Sequence, residues 1–285
     1  MNRLSLQQLI EISKLLRGDV IKSLAVAGSG HLGGSLGLAD VFAVLYWHTL
    51  NHRPDEPQWK DRDRLILSIG HVAPILYASL ANSGYFSREE LLTLRQLGSR
   101  LQGHPGRDHG LPGIELSAGS LGQGLSVAVG MALSGKIDNS SWRVYCVDGD
   151  GELQEGSVWE AAMSAAHYKL NNLTCIVDRN GCQIDGKTSK VMELEPLQAK
   201  WEAFGWKVFQ CNGNCIADLV ATLDKASVYK EKPSVVIAST KMGCGVASIT
   251  DDYRWHGKAP SPEQAKDFLK ELDEYYKSID TNAVR

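Results

Sequence analysis

"VDGDGELQEG", Val147–Gly156, crowds Asp148, Asp150, Glu152 and Glu155 among three glycines. It follows an apolar run, "WRVYCV" (142–147), that reads as a buried strand. "GSVWEAAMSAAHYKL" then has a helical period, and "LTCIVD" (173–178) reads as a second strand, followed at once by "RNGC" with Asn180. A strand–helix–strand unit crosses over right-handed, so its strands run parallel and their carboxyl ends share one edge. In open parallel sheets ligands bind beyond that edge. Asp150 and Asn180 are therefore expected close together in space. A carboxylate and an amide oxygen on one rim are hard ligands suited to Mg²⁺ or Ca²⁺. Taken alone, the acidic turn reads as a solvated helix cap, since carboxylates are favourable at a helix N-terminus. Asn180 at the matching strand end tips the reading toward a metal.

The flanking sequence repeats the alternation. "RLILSI" (64–69), "WKVFQ" (206–210) and "SVVIAS" (234–239) read as further strands, with helical patterns at 72–82, 121–136, 156–169, 196–204 and 216–229. This predicts an α/β fold, a mainly parallel sheet flanked by helices on both faces. No repeat or linker interrupts it, so residues 1–285 are expected to form one domain. An amphipathic helix leads the chain, and "PEQAKDFLKELDEYYKS" (262–278), with its proline start, closes it. The composition is that of an ordinary soluble protein: 43% hydrophobic, 22% charged, formal net charge −3. That balance gives no electrostatic case for nucleic acid or an anionic membrane. The N-terminal apolar residues are broken by Glu11, Lys14, Arg17 and Asp19, which does not fit an export signal. The six scattered cysteines then read as reduced thiols in the cytoplasm. Cys211 and Cys215 lack a second pair to complete a zinc site.

Two resemblances compete for the acidic turn. Asp148-Gly-Asp150-Gly at a strand end is similar to the nucleophile loop of haloacid-dehalogenase-type phosphohydrolases, in which the first Asp attacks phosphate. That reading leaves the glycine and histidine signals elsewhere unused. These are "GSGHLGGSLG" (28–37) with His31, "SIGHVAPILYASL" (68–80) with His71, "LQGHPG" (101–106) with His104, the glycine loop "AGSLGQGLSVAVGMA" (118–132), and "WHGK" with His256. Together with "GDGELQEG" and Asn180, and in this order, they closely resemble the thiamine-diphosphate-binding half of transketolase. Any one of these motifs is common; the ordered set is specific. It covers nearly the whole chain. The α chain of a 2-oxo acid dehydrogenase, of the same cofactor superfamily, matches the histidine set less well.

The resemblance implies a thiamine-diphosphate-binding fold and a set of roles. Asp150, Asn180 and the backbone carbonyl of Cys182 would ligate Mg²⁺ or Ca²⁺. Gly151 and Glu152 of the same turn would lie at the diphosphate, with His71 near it. Gly119, Ser120 and Leu121 would form the loop beside the aminopyrimidine; Ser120 stands where the family often has proline. His31, His71, His104 and His256 would surround the reacting sugar carbons, where imidazole can move protons near pH 7. Glu155 would lie at a subunit interface, in a hydrogen-bonded path between active sites. Arg107 and His109 read as surface-loop residues.

The implied reaction moves a two-carbon ketol unit from a ketose phosphate to an aldose, with thiamine diphosphate carrying the hard chemistry. In the family a following domain supplies the glutamate for the aminopyrimidine and much of the sugar-phosphate site. Nothing in this chain corresponds to that domain. The resemblance therefore implies the N-terminal subunit of a split transketolase, completed by a separately encoded C-terminal subunit, as an α2β2 heterotetramer inactive without its partner.

Overall fold

The computed structural model describes residues 3–279; residues 1–2 and 280–285, at the ends of the expected domain, lie outside the described residues. The strands are β1 (Arg64–Leu67), β2 (Val144–Gly149), β3 (Leu173–Arg179), β4 (Cys182–Gln183), β5 (Gly186–Lys187), β6 (Lys207–Asn212) and β7 (Ser234–Ser239). Five of them form one parallel sheet in the order β1-β2-β3-β7-β6, and β4 with β5 makes a separate antiparallel hairpin. The strands β2, β3 and β7 are almost wholly buried, because helices cover both faces. Their side chains alternate between two cores: Val235 and Ile237 point to one face, Val236 and Ala238 to the other.

The α-helices are α1 (Leu6–Ala27), α2 (Leu32–Gly37), α3 (Ala39–Val44), α4 (Ala73–Ser83), α5 (Gly124–Ile137), α6 (Gly156–His167), α7 (Thr188–Val191), α8 (Leu197–Ala203), α9 (Ile216–Val228) and α10 (Pro262–Ser278). On one face α1 packs against α3, α4 and α10; on the other α5 packs against α6. Ser5 and Gln8 form a capping box that starts α1, a device that stabilises by about 1 kcal/mol. Gly28, at φ 64°, ends it in the left-handed conformation that glycine adopts without a Cβ penalty. That stop turns the chain so that His31 sits at the start of α2. The same type of box, Ser261 with Gln264, starts α10.

The expected strands and the expected helices are all present, with shifted ends. The strand expected at 142–147 begins at Val144 and continues through Gly149. Asp148 therefore lies inside the sheet, opposite Val177, and Gly149 lies opposite Asp178. The helices α2 and α3 are not announced by the sequence, since "LGGSLG" has low helix propensity. They form because every residue from Leu32 to Val44 is buried; tertiary packing overrides the weak local preference. No helix of the described residues is long and apolar enough to cross a membrane.

Candidate active site

Three adjacent strands deliver their carboxyl ends to one rim. After β1 the chain turns through Ile69 into a short 3-10 turn carrying His71. Asp150 and Gly151 follow β2, and Asn180 follows β3. Loops from three other places close over this rim: Gly30–His31 before α2, Gly103–His104, and the segment after β7 that ends in His256. A cleft of about 280 Å³ results, lined by His31, His71, His104 and His256 together with Gly119, Leu121, Asp150, Gly151, Glu152, Asp178, Asn180, Cys182 and Ile184.

The four imidazoles form one cluster. Ring centroids lie 5.1 Å apart for His31 and His71, 6.2 Å for His31 and His104, 5.8 Å for His31 and His256, and 4.9 Å for His71 and His256. Burial, followed by mutual repulsion with the neighbouring rings, lowers His31 to about 4 and His71 to about 3. His104 and His256 are also lowered, chiefly by burial. All four are thus held neutral at pH 7, each ring able to donate from one nitrogen and accept at the other. Nδ1 of His31 and Nδ1 of His256 are buried with no hydrogen-bond partner among the described residues. Buried polar atoms rarely stay unpaired, so two of them on rings that line one cleft mark it as a polar site.

The carboxylates divide by environment. Asp150 accepts hydrogen bonds from the backbone N–H groups of Gly151 (2.8 Å) and Gly181 (2.6 Å) and from Nη1 of Arg179 (2.9 Å). Burial raises its pKa, opposed first by the Arg179 hydrogen bond. Asp178 is buried and pushed up to about 7 by desolvation, against its hydrogen bond from the Thr240 hydroxyl. Its Oδ2 accepts from Nδ2 of Asn180 at 2.8 Å. The Asn180 Oδ1 in turn accepts from the Cys182 N–H at 2.9 Å. The turns carrying Asp150 and carrying Asn180 and Cys182 thus meet on the rim through the Gly181 N–H, bringing together a carboxylate, an amide and a backbone carbonyl. That donor set fits a Mg²⁺- or Ca²⁺-type ion bridging to phosphate.

Several expected residues fall elsewhere. Asp148 has no exposed surface and accepts from the thiols of Cys146 (3.1 Å) and Cys175 (3.5 Å). Its place within β2 denies it access to any phosphate, which removes the phosphohydrolase reading. Glu152 lines the cleft, but its carboxylate turns inward, accepting from Ser68 Oγ (2.5 Å), Gly122 N (2.7 Å) and Gly149 N (3.1 Å). Burial and the nearby Asp148 raise its pKa. Its geometry is that of a strut holding the glycine loop, not of a group facing cofactor. Ser120 is exposed and does not line the cleft, whereas Gly119 and Leu121 on either side do. Glu155 is exposed at the start of α6, outside the cleft. Arg107 and His109 are surface residues. Sequence reasoning missed Asp178, Ser68, Thr240 and Arg179. An acidic residue ending the buried run "LTCIVD" was a readable signal for Asp178; the two hydroxyls carry none.

The whole chain has relatives of matching architecture. The family model "Transketolase, thiamine diphosphate binding domain" matches residues 5–273. An apulose-4-phosphate transketolase subunit of Phocaeicola vulgatus is 39% identical over 264 residues, covering 93% of this chain and 93% of that protein. A 6-deoxy-6-sulfo-D-fructose transketolase subunit of a Clostridium species is 39% identical over 261 residues, covering 92% and 94%. The crystal structure of Campylobacter jejuni transketolase superposes with a TM-score of 0.86 at 34% identity, over 96% of this chain but 43% of that one. The chain thus spans nearly all of the subunit-type relatives and less than half of the long transketolases. It belongs to the transketolase family and carries that family's thiamine diphosphate binding domain.

Proposed function

We propose that this chain is, as a single domain, the N-terminal subunit of a two-chain transketolase that moves a two-carbon ketol unit from a ketose to an aldose. The observation that carries the reading is the convergence of four neutral histidines on the same rim as Asp150 and Asn180. A sugar presents many hydroxyls, and a ring of imidazoles with unsatisfied nitrogens is suited to them. A 2-oxo acid presents a carboxylate, for which four neutral rings are a poorer match. The near end-to-end coverage of subunit-type relatives supports a separately encoded partner, and we extend this to an α2β2 heterotetramer.

When bound, thiamine diphosphate supplies a nucleophilic carbon and an electron sink for breaking and remaking the carbon–carbon bond beside a ketone. Asp150, Asn180 and the Cys182 carbonyl would hold Mg²⁺ or Ca²⁺ at its diphosphate end. Gly151 leaves the approach open, since a Cβ there would already meet Cβ of Gln183 at 3.2 Å. Gly119 and Leu121 would offer the aminopyrimidine their main-chain groups. His31 and His256, which line the cleft, would each bond a sugar hydroxyl, and a neutral ring there can take or return its proton as the bond breaks. His71 would stand between the sugar carbons and the diphosphate end. His104, at the entrance, would bond a further hydroxyl beside the reacting carbons and share in the proton transfer. Glu155, exposed at the start of α6, would meet a neighbouring subunit. Six free thiols, five of them buried, are in keeping with a reducing compartment, and we place the protein in the cytoplasm.

The test is capture of the partner chain from the native host and assay of the assembled enzyme with thiamine diphosphate and Mg²⁺. A product two carbons longer than the aldehyde acceptor, detected by mass, is the expected result. An assembled enzyme that cleaves only 2-oxo acids would refute it.

A further inference from the structure

The amino edge of the sheet, opposite the cleft, carries a second concentration of unpaired polar atoms. Four buried side-chain atoms there have no hydrogen-bond partner among the described residues: Nδ1 of His48, Oγ1 of Thr49, Nε of Arg143 and Oγ of Ser234. Such atoms are rare in native folds, so their clustering marks a polar site. Chain contacts bring them to one place. Arg143 stands immediately before β2, and its Nη2 reaches Oγ1 of Thr174 on β3 at 3.4 Å. Thr174 is the register partner of Ser234, the first residue of β7, so their side chains share one face. Asp63, just before β1, joins this edge to the helical segment at 45–49. It accepts from the Arg143 N–H at 2.7 Å and from the Asn51 N–H at 2.9 Å. Asn51 lies two residues beyond a π-helical turn, Leu45–Thr49, that carries His48 and Thr49. Such turns are uncommon and gather at functional sites. A cleft of about 160 Å³ opens here, with Arg3, His48, Thr49 and Asn51 in its lining.

The donor set favours an anion. The His48 side chain is only 10% exposed; its Nε2 meets Oδ1 of Asp224 at 3.1 Å, and Nη1 of Arg3 approaches the same oxygen at 3.5 Å. Asp224 is thus already shared by two groups, and Asp63 by two backbone N–H groups. The Arg143 guanidinium makes no ion pair among the described residues, and its Nε can only donate. Burial pushes the Tyr145 phenol up to about 12, opposed by Arg143 and more weakly by Arg3, so both guanidiniums approach this one buried ring. With Nε2 turned to Asp224, Nδ1 of a charged His48 is a further donor, and the Thr49 hydroxyl is another. Guanidinium forks with imidazole and hydroxyl donors are the usual receptors of oxyanions. The cleft lies below the size of a pocket for a drug-sized molecule, which limits it to a single small group.

We propose that the amino edge of the sheet holds a binding site for a phosphate-type oxyanion, gripped by Arg143 and Arg3 and completed by His48 and Thr49. The site is separate from the cleft of the four histidines and does not depend on the function assigned to it. The test titrates the full chain with inorganic phosphate at constant pH and ionic strength, following the His48 ring signals by NMR, with chloride as the control. Saturable movement of the His48 signals in the wild type, absent with chloride, is expected. Arg143→Gln should weaken that binding roughly tenfold or more, the scale of one lost charged hydrogen bond. Any shifts that phosphate induces in His31 and His71, at the opposite edge of the sheet, should be the same in variant and wild type. A His48 ring that ignores phosphate, that follows chloride equally, or that titrates unchanged in Arg143→Gln overturns the site. Should that variant not fold, Arg3→Gln, with a side chain 59% exposed, decides by the same criterion.

Discussion

The Asp178 carboxylate fixes the Asn180 amide: Nδ2 of Asn180 donates to Oδ2 of Asp178 at 2.8 Å, and the Thr240 hydroxyl holds the other carboxylate oxygen. With its NH₂ so occupied, Asn180 is bound to present Oδ1 on the opposite side. That is the oxygen assigned to the metal. Groups that orient a ligand in this way typically contribute 10–100-fold to metal affinity. Asp178→Ala should therefore weaken Mg²⁺ binding by about 10–100-fold in the presence of thiamine diphosphate. Asp150→Ala, which deletes a ligand, should abolish metal-dependent cofactor binding. Calorimetric titration of both variants checks the assignment; wild-type isotherms from Asp150→Ala would refute it.

Glu152 ties together three segments through Ser68, Gly122 and Gly149. Removing its carboxylate leaves two buried N–H groups without an acceptor, and each such loss costs about 1–3 kcal/mol. Glu152→Ala is expected to lower unfolding stability by about 3 kcal/mol and to loosen the loop carrying Gly119 and Leu121. Urea unfolding measures the first effect and cofactor affinity the second. A variant as stable as wild type would mean that Glu152 does not brace the loop.

The depressed histidines tie stability to pH. His71 titrates near 3 when folded, against about 6.5 in an unfolded chain. Between those values the unfolded state binds a proton that the folded state refuses. Its contribution to stability is complete above about pH 6.5 and is lost as pH falls toward 3, by up to about 1.4 kcal/mol per pH unit. Asp178 acts in the opposite sense: raised to about 7, it favours the folded state as pH falls below that value. Comparison with His71→Gln isolates the histidine. The variant should gain on wild type between pH 7 and pH 5 in parallel urea unfolding curves; parallel loss in both proteins would contradict the neutral ring.

Arg17 is fully buried and bidentate to Asp40, at 3.0 and 2.6 Å, and also donates to the carbonyls of Leu36 and Cys244. It joins α1 to α2 and to the segment that leads toward His256. Asp40→Ala strands a buried cation, which costs about 3–5 kcal/mol. The melting temperature is the readout. A loss of less than about 1 kcal/mol, the value of a surface ion pair, would show the pair to be dispensable.

The sheet and the positions of its rim residues were legible because short β-branched runs and long helical patterns announce their periods. "RLILSI", "LTCIVD" and "SVVIAS" each became a buried strand of the sheet. Asp150 and Asn180 could be brought together from topology alone, since parallel strands end on one edge. What stayed hidden depended on packing across the chain. Asp148 reads as a rim residue in the sequence, but the strand runs two residues further. Glu152 reads as facing cofactor, whereas Ser68, far away in sequence, draws it inward. The helix over Leu32–Gly37 is concealed by its glycines, which are there for close approach: a Cβ on Gly33 would stand 2.5 Å from the Met242 side chain.

Substitution of His104 or His256 by alanine should lower kcat and kcat/KM together by about 10²–10⁴ in the assembled enzyme, as expected for groups that move protons in the transition state. Cofactor affinity, measured separately, should stay near wild type. Unchanged turnover in either variant would remove that ring from the site.

In the proposed enzyme this chain holds half of an active site. Each carboxylate lining the cleft is already engaged: Asp150 by Arg179 and two backbone N–H groups, Glu152 by Ser68, Gly122 and Gly149, and Asp178 by Thr240 and Asn180. The proposed function assigns none of these to the aminopyrimidine of the cofactor and expects that acid from the partner chain. The decisive assay follows two-carbon transfer by the purified chain with thiamine diphosphate, Mg²⁺, a ketose phosphate and an aldehyde, before and after the partner chain is added. No transfer before the addition and full turnover at equimolar partner is the expected outcome; full-rate transfer by the lone chain would contradict it.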